Sequence, residues 1–449
     1  MVKRYAINDH PTVVNARKNR TVAPRAAEPL DAEWLRQIAL DAGADDVGFV
    51  EIERPEIADQ RADLDAALPG VQTLVSFVRR MNRESIRTPA RSIANLEFHH
   101  TGDDTDEIGR HLATRLESVG VRAINPAMGF PMEMDEFPGK TWVVSHKPVA
   151  EAAGLGRMGI HRNVIHPKFG NFILLGTVLV DAKVTEYSTP LDYNPCLECK
   201  LCVAACPTGA IAPDGHFNFS ACYTHNYREF MGGFGDWVGQ VADSKNADDY
   251  RSKVPDNETA SVWQSLSFGA NYKAAYCMSV CPAGDDVICA WLDSPKTHLA
   301  EVVRPLQRKE ETVYVIKGSD AEEYVNRRFP DKHPKHVGQS LRARSIDGMV
   351  DGLPLIFQRE QTKGVTTTYH FSFTGNETRQ FTVRIDDREL DVRDGHHGRP
   401  DLRVDADAKT WLRFLDKRSV LPFALLSRRI RLHGSPKLLQ AFGRFFPSQ

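Results

Sequence analysis

Apolar positions recur along this chain in more than one rhythm. From Leu30 to Ala42, Leu35, Ile38 and Leu40 share a face at helical spacing, and Gly43 ends the run. Asp46 to Ile52 reads as a strand, and Val71 to Val78 as a second whose nearly continuous apolar character suits a sheet covered on both faces. Thr105 to Gly120 returns to helical spacing, with Ile108, Leu112, Leu116 and Val119 on one stripe. Val121–Ile124 and Thr141–Ser145 are predicted as short strands, and Asn171 to Asp181 as a longer one. Helices and strands alternate, which predicts an α/β layer over residues 29–185.

The last quarter of the chain alternates with a period of two. Tyr369, Phe371 and Phe373 share a face, as do Phe381, Val383 and Ile385, then Leu390 with Val392 and Leu402 with Val404. Turns at Thr374-Gly-Asn and Asp394-Gly separate them, so an antiparallel meander is predicted. Asp407 caps a helix carrying Trp411, Leu412 and Leu415, and a final helix holds Leu438, Leu439, Phe442 and Phe445. This unit spans 343–449, behind a linker-like 301–342 with Pro330, Pro334 and many charges. Residues 1–28 are polar and basic and read as a loose arm without a secretory signal.

Composition narrows the function classes. The 449 residues are 41% hydrophobic, enough for real cores, and carry a net charge of -2, so no global basic field marks a nucleic-acid binder. The longest apolar run, Phe172 to Val180, is broken by Gly176 and Thr177 and falls well short of the ~20 residues of a membrane span. A cytoplasmic protein is expected, where thiols stay reduced.

Chemistry concentrates between 186 and 300. The run Cys196-Leu-Glu-Cys199-Lys-Leu-Cys202-Val-Ala-Ala-Cys206-Pro207 is C-x-x-C-x-x-C-x-x-x-C-P, in which three thiolates face one iron–sulfur cubane and the fourth serves a second. All 8 cysteines of the chain lie here, the number that two four-iron clusters need. The crossed pattern groups Cys196, Cys199 and Cys202 with Cys281, and Cys206 with Cys222 and Cys277. A complete downstream run would have cysteine where Ala274 stands, so Cys289 is the remaining thiol for the second cluster. If it does not reach, that cluster has a non-cysteine ligand or three irons. Zinc sites use C-x-x-C pairs set well apart, and disulfides belong to oxidising compartments, so the run reads as iron–sulfur. The insert at 226–270, with its Gly232-Gly-Phe-Gly-Asp-Trp stretch, its charged 243–257 and a helix at 261–268, is either a substrate lid or a surface excursion.

Two resemblances follow. Lys147-Pro-Val-Ala-Glu-Ala-Ala-Gly154-Leu-Gly156-Arg-Met-Gly159, then Val-Ile-His-Pro-Lys-Phe-Gly, Leu-Gly-Thr-Val-Leu-Val-Asp and the cysteine run resemble the core shared by reductive dehalogenases and epoxyqueuosine reductases. Gly-Leu-Pro-Leu-Ile-Phe, Phe-Ser-Phe-Thr-Gly and Asp-Leu-Arg-Val-Asp-Ala-Asp-Ala-Lys-Thr-Trp-Leu resemble sterol carrier protein type 2 (SCP2). The first implies a nitroreductase-like α/β core holding cobalamin, fed by a ferredoxin-like module with two [4Fe-4S] clusters. It makes Gly154, Leu155, Gly156, Arg157 and Gly159 candidates for the cofactor turn, which as a sequence also reads as a plain helix C-cap. The second implies an antiparallel sheet under helices, with an apolar tunnel or merely a small core and docking surface.

Departures from the pattern matter. Dehalogenases draw a proton from a Tyr, whereas the comparable stretch here is Leu96-Glu-Phe-His99-His100, so His99 or His100 is the candidate donor beside the reading of a surface pair before a helix. Epoxyqueuosine reductases use an Asp for which only Asp135 and His146 lie nearby, and Arg157, Arg162 and Lys168 are the candidate anion-stabilising cations. The expected activity is a reductase acting on a hydrophobic substrate, with a ferredoxin, flavodoxin or reductase as electron donor and without nucleic acid. The alternatives are a tRNA-acting epoxyqueuosine reductase and a non-catalytic electron-transfer or lipid-binding protein.

Overall fold

The computed structural model describes residues 4–19, 28–136, 140–338, 343–416 and 421–447. Parts of the expected arm (1–3 and 20–27) and of the expected linker (339–342) lie outside them; the rest of the arm carries a short exposed helix, Pro11–Lys18.

The first layer is built on four strands: β1 (Asp46–Glu51), β2 (Thr73–Arg80), β3 (Ala123–Ile124) and β4 (Ile173–Val180), in the spatial order β1-β2-β4-β3. Strand and helix alternate as expected, but every pairing is antiparallel. Both faces are covered, as the near-continuous apolar run of β2 requires. Val75, Phe77, Val178 and Val180 pack under helices α1 (Ala32–Asp41) and α2 (Arg91–Ser118). Leu74, Val78, Ile173 and Leu179 pack under α3 (His146–Ala152) and the segment 55–68. Helix α2 begins fourteen residues earlier than expected, because polar Arg91, Asn95 and Thr101 fill buried positions of its first half and hide the apolar stripe. The histidine pair therefore lies within a helix rather than ahead of one. Thr141–Ser145 is not a strand: Ser145 N–H donates to Gln60 Oε1 and Thr141 C=O accepts from Glu133, so side chain and loop satisfy the backbone that a sheet edge would have served.

The cysteine module follows with α4 (Leu201–Ala205) and α5 (Phe219–Asn226). The insert is helical throughout: α6 (Gly232–Ala242), α7 (Ala247–Lys253) and α8 (Asp256–Phe268). The charged stretch expected as loop forms α7 because Asn246 caps it, Asp248 and Asp249 occupy the first turn, and Arg251 and Lys253 the last. Glu229, at the root of the insert, takes Lys273, Ser261, Ser265 and Asn271 as partners and fastens both ends. Helices α9 (Tyr276–Val280) and α10 (Asp285–Asp293) complete the module.

The segment expected as a linker is a folded unit. β5 (Glu311–Val315), α11 (Asp320–Arg328) and β6 (Lys332–His336) form a parallel pair with a helical crossover. Val313, Val315, Ala321 and Val325 share one core with Cys202, Cys206 and Ala274. Its charges had disguised it, yet one of them is deep inside: the Lys332 ammonium, fully buried, meets Glu311 at 2.6 Å.

The C-terminal unit comprises α12 (Ile346–Ile356), β7 (Thr366–Thr374), β8 (Arg379–Asp386), β9 (Glu389–Asp394), β10 (Leu402–Asp407), α13 (Ala408–Leu415), β11 (Ile430–Gly434) and α14 (Pro436–Phe445). The expected faces are correct, and Asp407 caps α13 through the Thr410 amide. The meander is not: the order is β9-β8-β7-β10-β11, and β10 runs parallel to β7. After β9 the chain crosses to the far side of β7, a choice that alternation along each strand does not encode.

Candidate iron–sulfur site

The loop from Cys196 to Cys202 takes the left-handed conformation at two residues with side chains, Glu198 (φ 51°) and Lys200 (φ 61°). Such residues cost about 1 kcal/mol or more each, and alternating hands turn successive N–H groups toward one concave side. Backbone amides of Leu201 and Val203 accordingly point at the sulfurs of Cys199 and Cys202. Met278 and Ala283 amides do the same for Cys277 and Cys281.

The thiols gather as two adjoining groups, with Cys277 also within electrostatic reach of Cys202 and Cys281. Cys281 lies within electrostatic reach of Cys196, Cys199 and Cys202. Cys206, Cys222 and Cys277 act on one another in the same way. Burial drives Cys277 up to about 11 and Cys281 up to about 12, and neighbouring sulfurs add to it, so thiols crowded like this ionise only against bound cations. Among the described residues, no three His, Cys, Asp or Glu side chains converge on a point as the ligands of one ion would. The compact C-x-x-C-x-x-C spacing fits a cluster better than a single zinc, whose C-x-x-C pairs stand well apart.

Two buried arginines strengthen that fit. Nε and Nη2 of both Arg87 and Arg91 are buried without a hydrogen-bond partner. Arg87 senses Cys281, and Arg91, stacked over Tyr276, senses Cys277. Arg87 Nη1 reaches Glu84 at 3.4 Å and Arg91 Nη1 donates to the Ile86 and Thr88 carbonyls, but the remaining buried nitrogens are costly to leave unmet, and an anionic cluster beside each would supply further countercharge. Neither arginine gave any signal in the sequence, since nothing about its spacing distinguishes it from a surface charge.

Beside the second set, the wall of the α/β core presents Lys147 and Asn163. Lys147 Nζ donates to Arg162 C=O at 2.6 Å, and the protein around it lowers its pKa. Asn163 Nδ2 stands 3.9 Å from Cys277 Sγ. Tyr227 faces the same sulfurs, and burial raises its pKa far above the usual phenol range.

The glycine turn is closely packed against its own chain. A Cβ on Gly154 would meet Thr189 C=O, on Gly156 Ile165 C=O, and on Gly159 the Ile165 and His161 side chains. Leu155 is in the core, and Arg157 pairs with Glu151 and donates to Leu191 C=O. These residues make room for the chain itself. His99 is engaged: its Nε2 lies 2.8 Å from Ala270 C=O and its ring stacks near Phe230. His100 opens onto a polar groove of about 500 Å³ lined also by Arg79, Arg80, Asn82 and Asp104. Both ring nitrogens of His146 are used, on Thr177 and Ala127 C=O. Asp135, Arg162 and Lys168 are exposed.

In the C-terminal unit, the space under the sheet is filled by rings. Phe371 has Phe381 at 4.9 Å, Phe442 at 5.1 Å and Trp411 at 5.7 Å, and all four are buried.

Comparison with known proteins agrees with these two halves. Residues 189–212 match the 4Fe-4S binding domain, and residues 357–447 match the SCP-2 sterol transfer family. The chain is similar to the epoxyqueuosine reductases. That of Aliivibrio fischeri is 26% identical over 164 residues, 36% of this chain and 40% of the relative. That of Cellulophaga algicola is 24% identical over 230 residues, 46% of this chain and 74% of the relative. The match to Staphylococcus aureus is 40% identical but spans only 21% of the relative's length. Among solved structures, the epoxyqueuosine reductase of Streptococcus thermophilus covers 62% of this chain and 78% of its own length, with a TM-score of 0.36 and 16% identity. A reductive dehalogenase described as B12-dependent covers 61% of this chain and 37% of its own, at 0.38 and 15%. Among the described residues, no helix is long and apolar enough to cross a membrane.

Proposed function

We propose that the chain is an iron–sulfur oxidoreductase of a reducing compartment. An external ferredoxin, flavodoxin or reductase supplies single electrons, two clusters relay them to a corrinoid, and a hydrophobic substrate undergoes reductive loss of halide or oxygen. The observation that carries this reading is the gathering of the cysteines of both runs, with Cys199, Cys202, Cys206, Cys222 and Cys277 at one core and Cys196 packed with Cys281. When bound, cobalamin supplies the low-valent cobalt chemistry that breaks the substrate bond. Lys147, Asn163 and Tyr227, which lie within reach of the Cys277 sulfur, are the residues that would contact such a ligand. Tyr227 keeps its proton at neutral pH and is the acid nearest the Cys222 and Cys277 sulfurs; His99 is tied to Ala270. The C-terminal unit supports a lipid-like substrate through its family match, although its own interior is packed with rings.

Anaerobic preparation with cobalamin offered, assayed for iron, sulfide and corrinoid, tests the reading. Iron and sulfide sufficient for two clusters with about one corrinoid per chain are expected. Zinc, or no iron, overturns it; intact clusters without corrinoid leave an electron-transfer or lipid-binding protein instead. The named relatives favour one competing substrate, epoxyqueuosine in tRNA. Tight tRNA binding that weakens steeply with salt would select it.

A further inference from the structure

The two cysteine runs are built on one backbone plan. In the first, left-handed Lys200 (φ 61°) leads into the five-residue helix α4, which contains Cys202 and ends at extended Cys206 before Pro207. In the second, left-handed Ala275 (φ 52°) leads into the five-residue helix α9, which contains Cys277 and ends at extended Cys281 before Pro282. The two helices pack against each other. Under this correspondence Cys202 matches Cys277, Cys206 matches Cys281, and Cys199, three residues before Cys202, matches Ala274.

Ala274 does occupy a ligand's place. It is buried in the same core as Cys206, Cys222 and Cys277. Its amide and that of Ala275 both donate to Asn226 Oδ1, at 3.0 and 2.8 Å, which fixes the loop. Cys289 cannot replace it. Val287 and Trp291 turn the inner face of α10 toward the protein, and Cys289 stands about 200° round the helix from Val287. Its neighbours on that outer face, Asp285, Asp286, Leu292 and Asp293, are exposed, as Cys289 is. The helix is held where it is by Asp285 and Asp286 amides on Pro167 and Lys168 carbonyls, so bringing the thiol inward would mean unwinding it. A four-thiolate second cluster does not fit this chain.

We infer that the second cluster is held by three protein thiolates, Cys206, Cys222 and Cys277, with one corner open at Ala274. This deepens the two-cluster reading and rests on it. A cluster corner without a thiolate loses its iron readily on mild oxidation and leaves a three-iron centre, which is paramagnetic when oxidised, whereas an oxidised four-iron cubane is EPR-silent.

Full-length wild type, Cys289→Ser and Ala274→Cys, reconstituted anaerobically and treated with ferricyanide, test the assignment by iron assay and EPR. Wild type and Cys289→Ser should give equal iron and about one three-iron spin per chain, while Ala274→Cys should lose at least about four-fifths of that signal. Loss of about four irons in Cys289→Ser, or an unchanged signal in Ala274→Cys, overturns the three-thiolate assignment alone. About four irons in the wild type with no such signal overturns the second cluster itself, and the proposal with it.

Discussion

At the scale of single residues, the informative groups are buried charges and rings that the spacing of the chain does not announce. Arg87 carries unpartnered buried nitrogens beside Cys281. Its removal should make the first cluster harder to reduce: Arg87→Gln lowers the midpoint potential by on the order of tens of millivolts, at an effective dielectric of about 20, and Arg87→Lys restores part of it. Redox titration followed by EPR reads the shift, and an unchanged potential would remove the countercharge role. His161 makes a second case. Burial, helped by Lys147, pushes it down to about 4 from its ordinary 6.5. The unfolded chain therefore takes up the proton first as pH falls. The stability His161 contributes is complete above pH 6.5 and is lost between 6.5 and about 4, at ~1.4 kcal/mol per pH unit. Denaturant unfolding across that window should show a slope that His161→Gln reduces by that amount. The cysteines were legible because an invariant spacing names their chemistry; Arg87, Lys147 and Asn163 were not, because only folding brings them to the sulfurs.

At the scale of elements, the junction between the α/β core and the cysteine module depends on two glycines. Gly170 (φ 66°) and Gly284 (φ 109°) lie backbone to backbone, and a Cβ on Gly284 would strike the Gly170 amide. Gly284→Ala should lower stability by about 2 kcal/mol or more, through both strain and collision, and loosen the segment that carries Cys281. A denaturant midpoint equal to wild type would refute that account. Strands β1, β2 and β4 and the apolar faces of β7 and β8 were read correctly because one period repeats through each. Thr141–Ser145 has the same local pattern yet finds no free sheet edge, and α7 and the crossover unit β5-α11-β6 were disguised by charges that serve as caps and buried pairs.

At the scale of the whole molecule, separate cores follow from the sequence of modules. Among the described residues, the buried members of the C-terminal core run from Ile346 onward, and its polar links to the cysteine module include Arg359 to Asp214 at 2.7 Å and Gln358 to the Asp320 amide at 2.9 Å. Calorimetry should therefore resolve at least two transitions. Stripping iron should lower the one belonging to the cysteine module and leave the C-terminal one in place, since metal binding there is folding energy. A single transition that shifts as a unit would show tighter coupling than these contacts supply.

The linear chain determined which residues could ligate iron, which faces of the strands turn inward, and where composition changes from one module to the next, because these depend on spacing and period alone. Tertiary structure decided strand direction and order, the helical nature of the insert, and the packing use of the glycine turn. It also decided that Cys289 faces outward while Ala274 holds the ligand position, because reach is set by the helix that carries a side chain and by what that helix packs against.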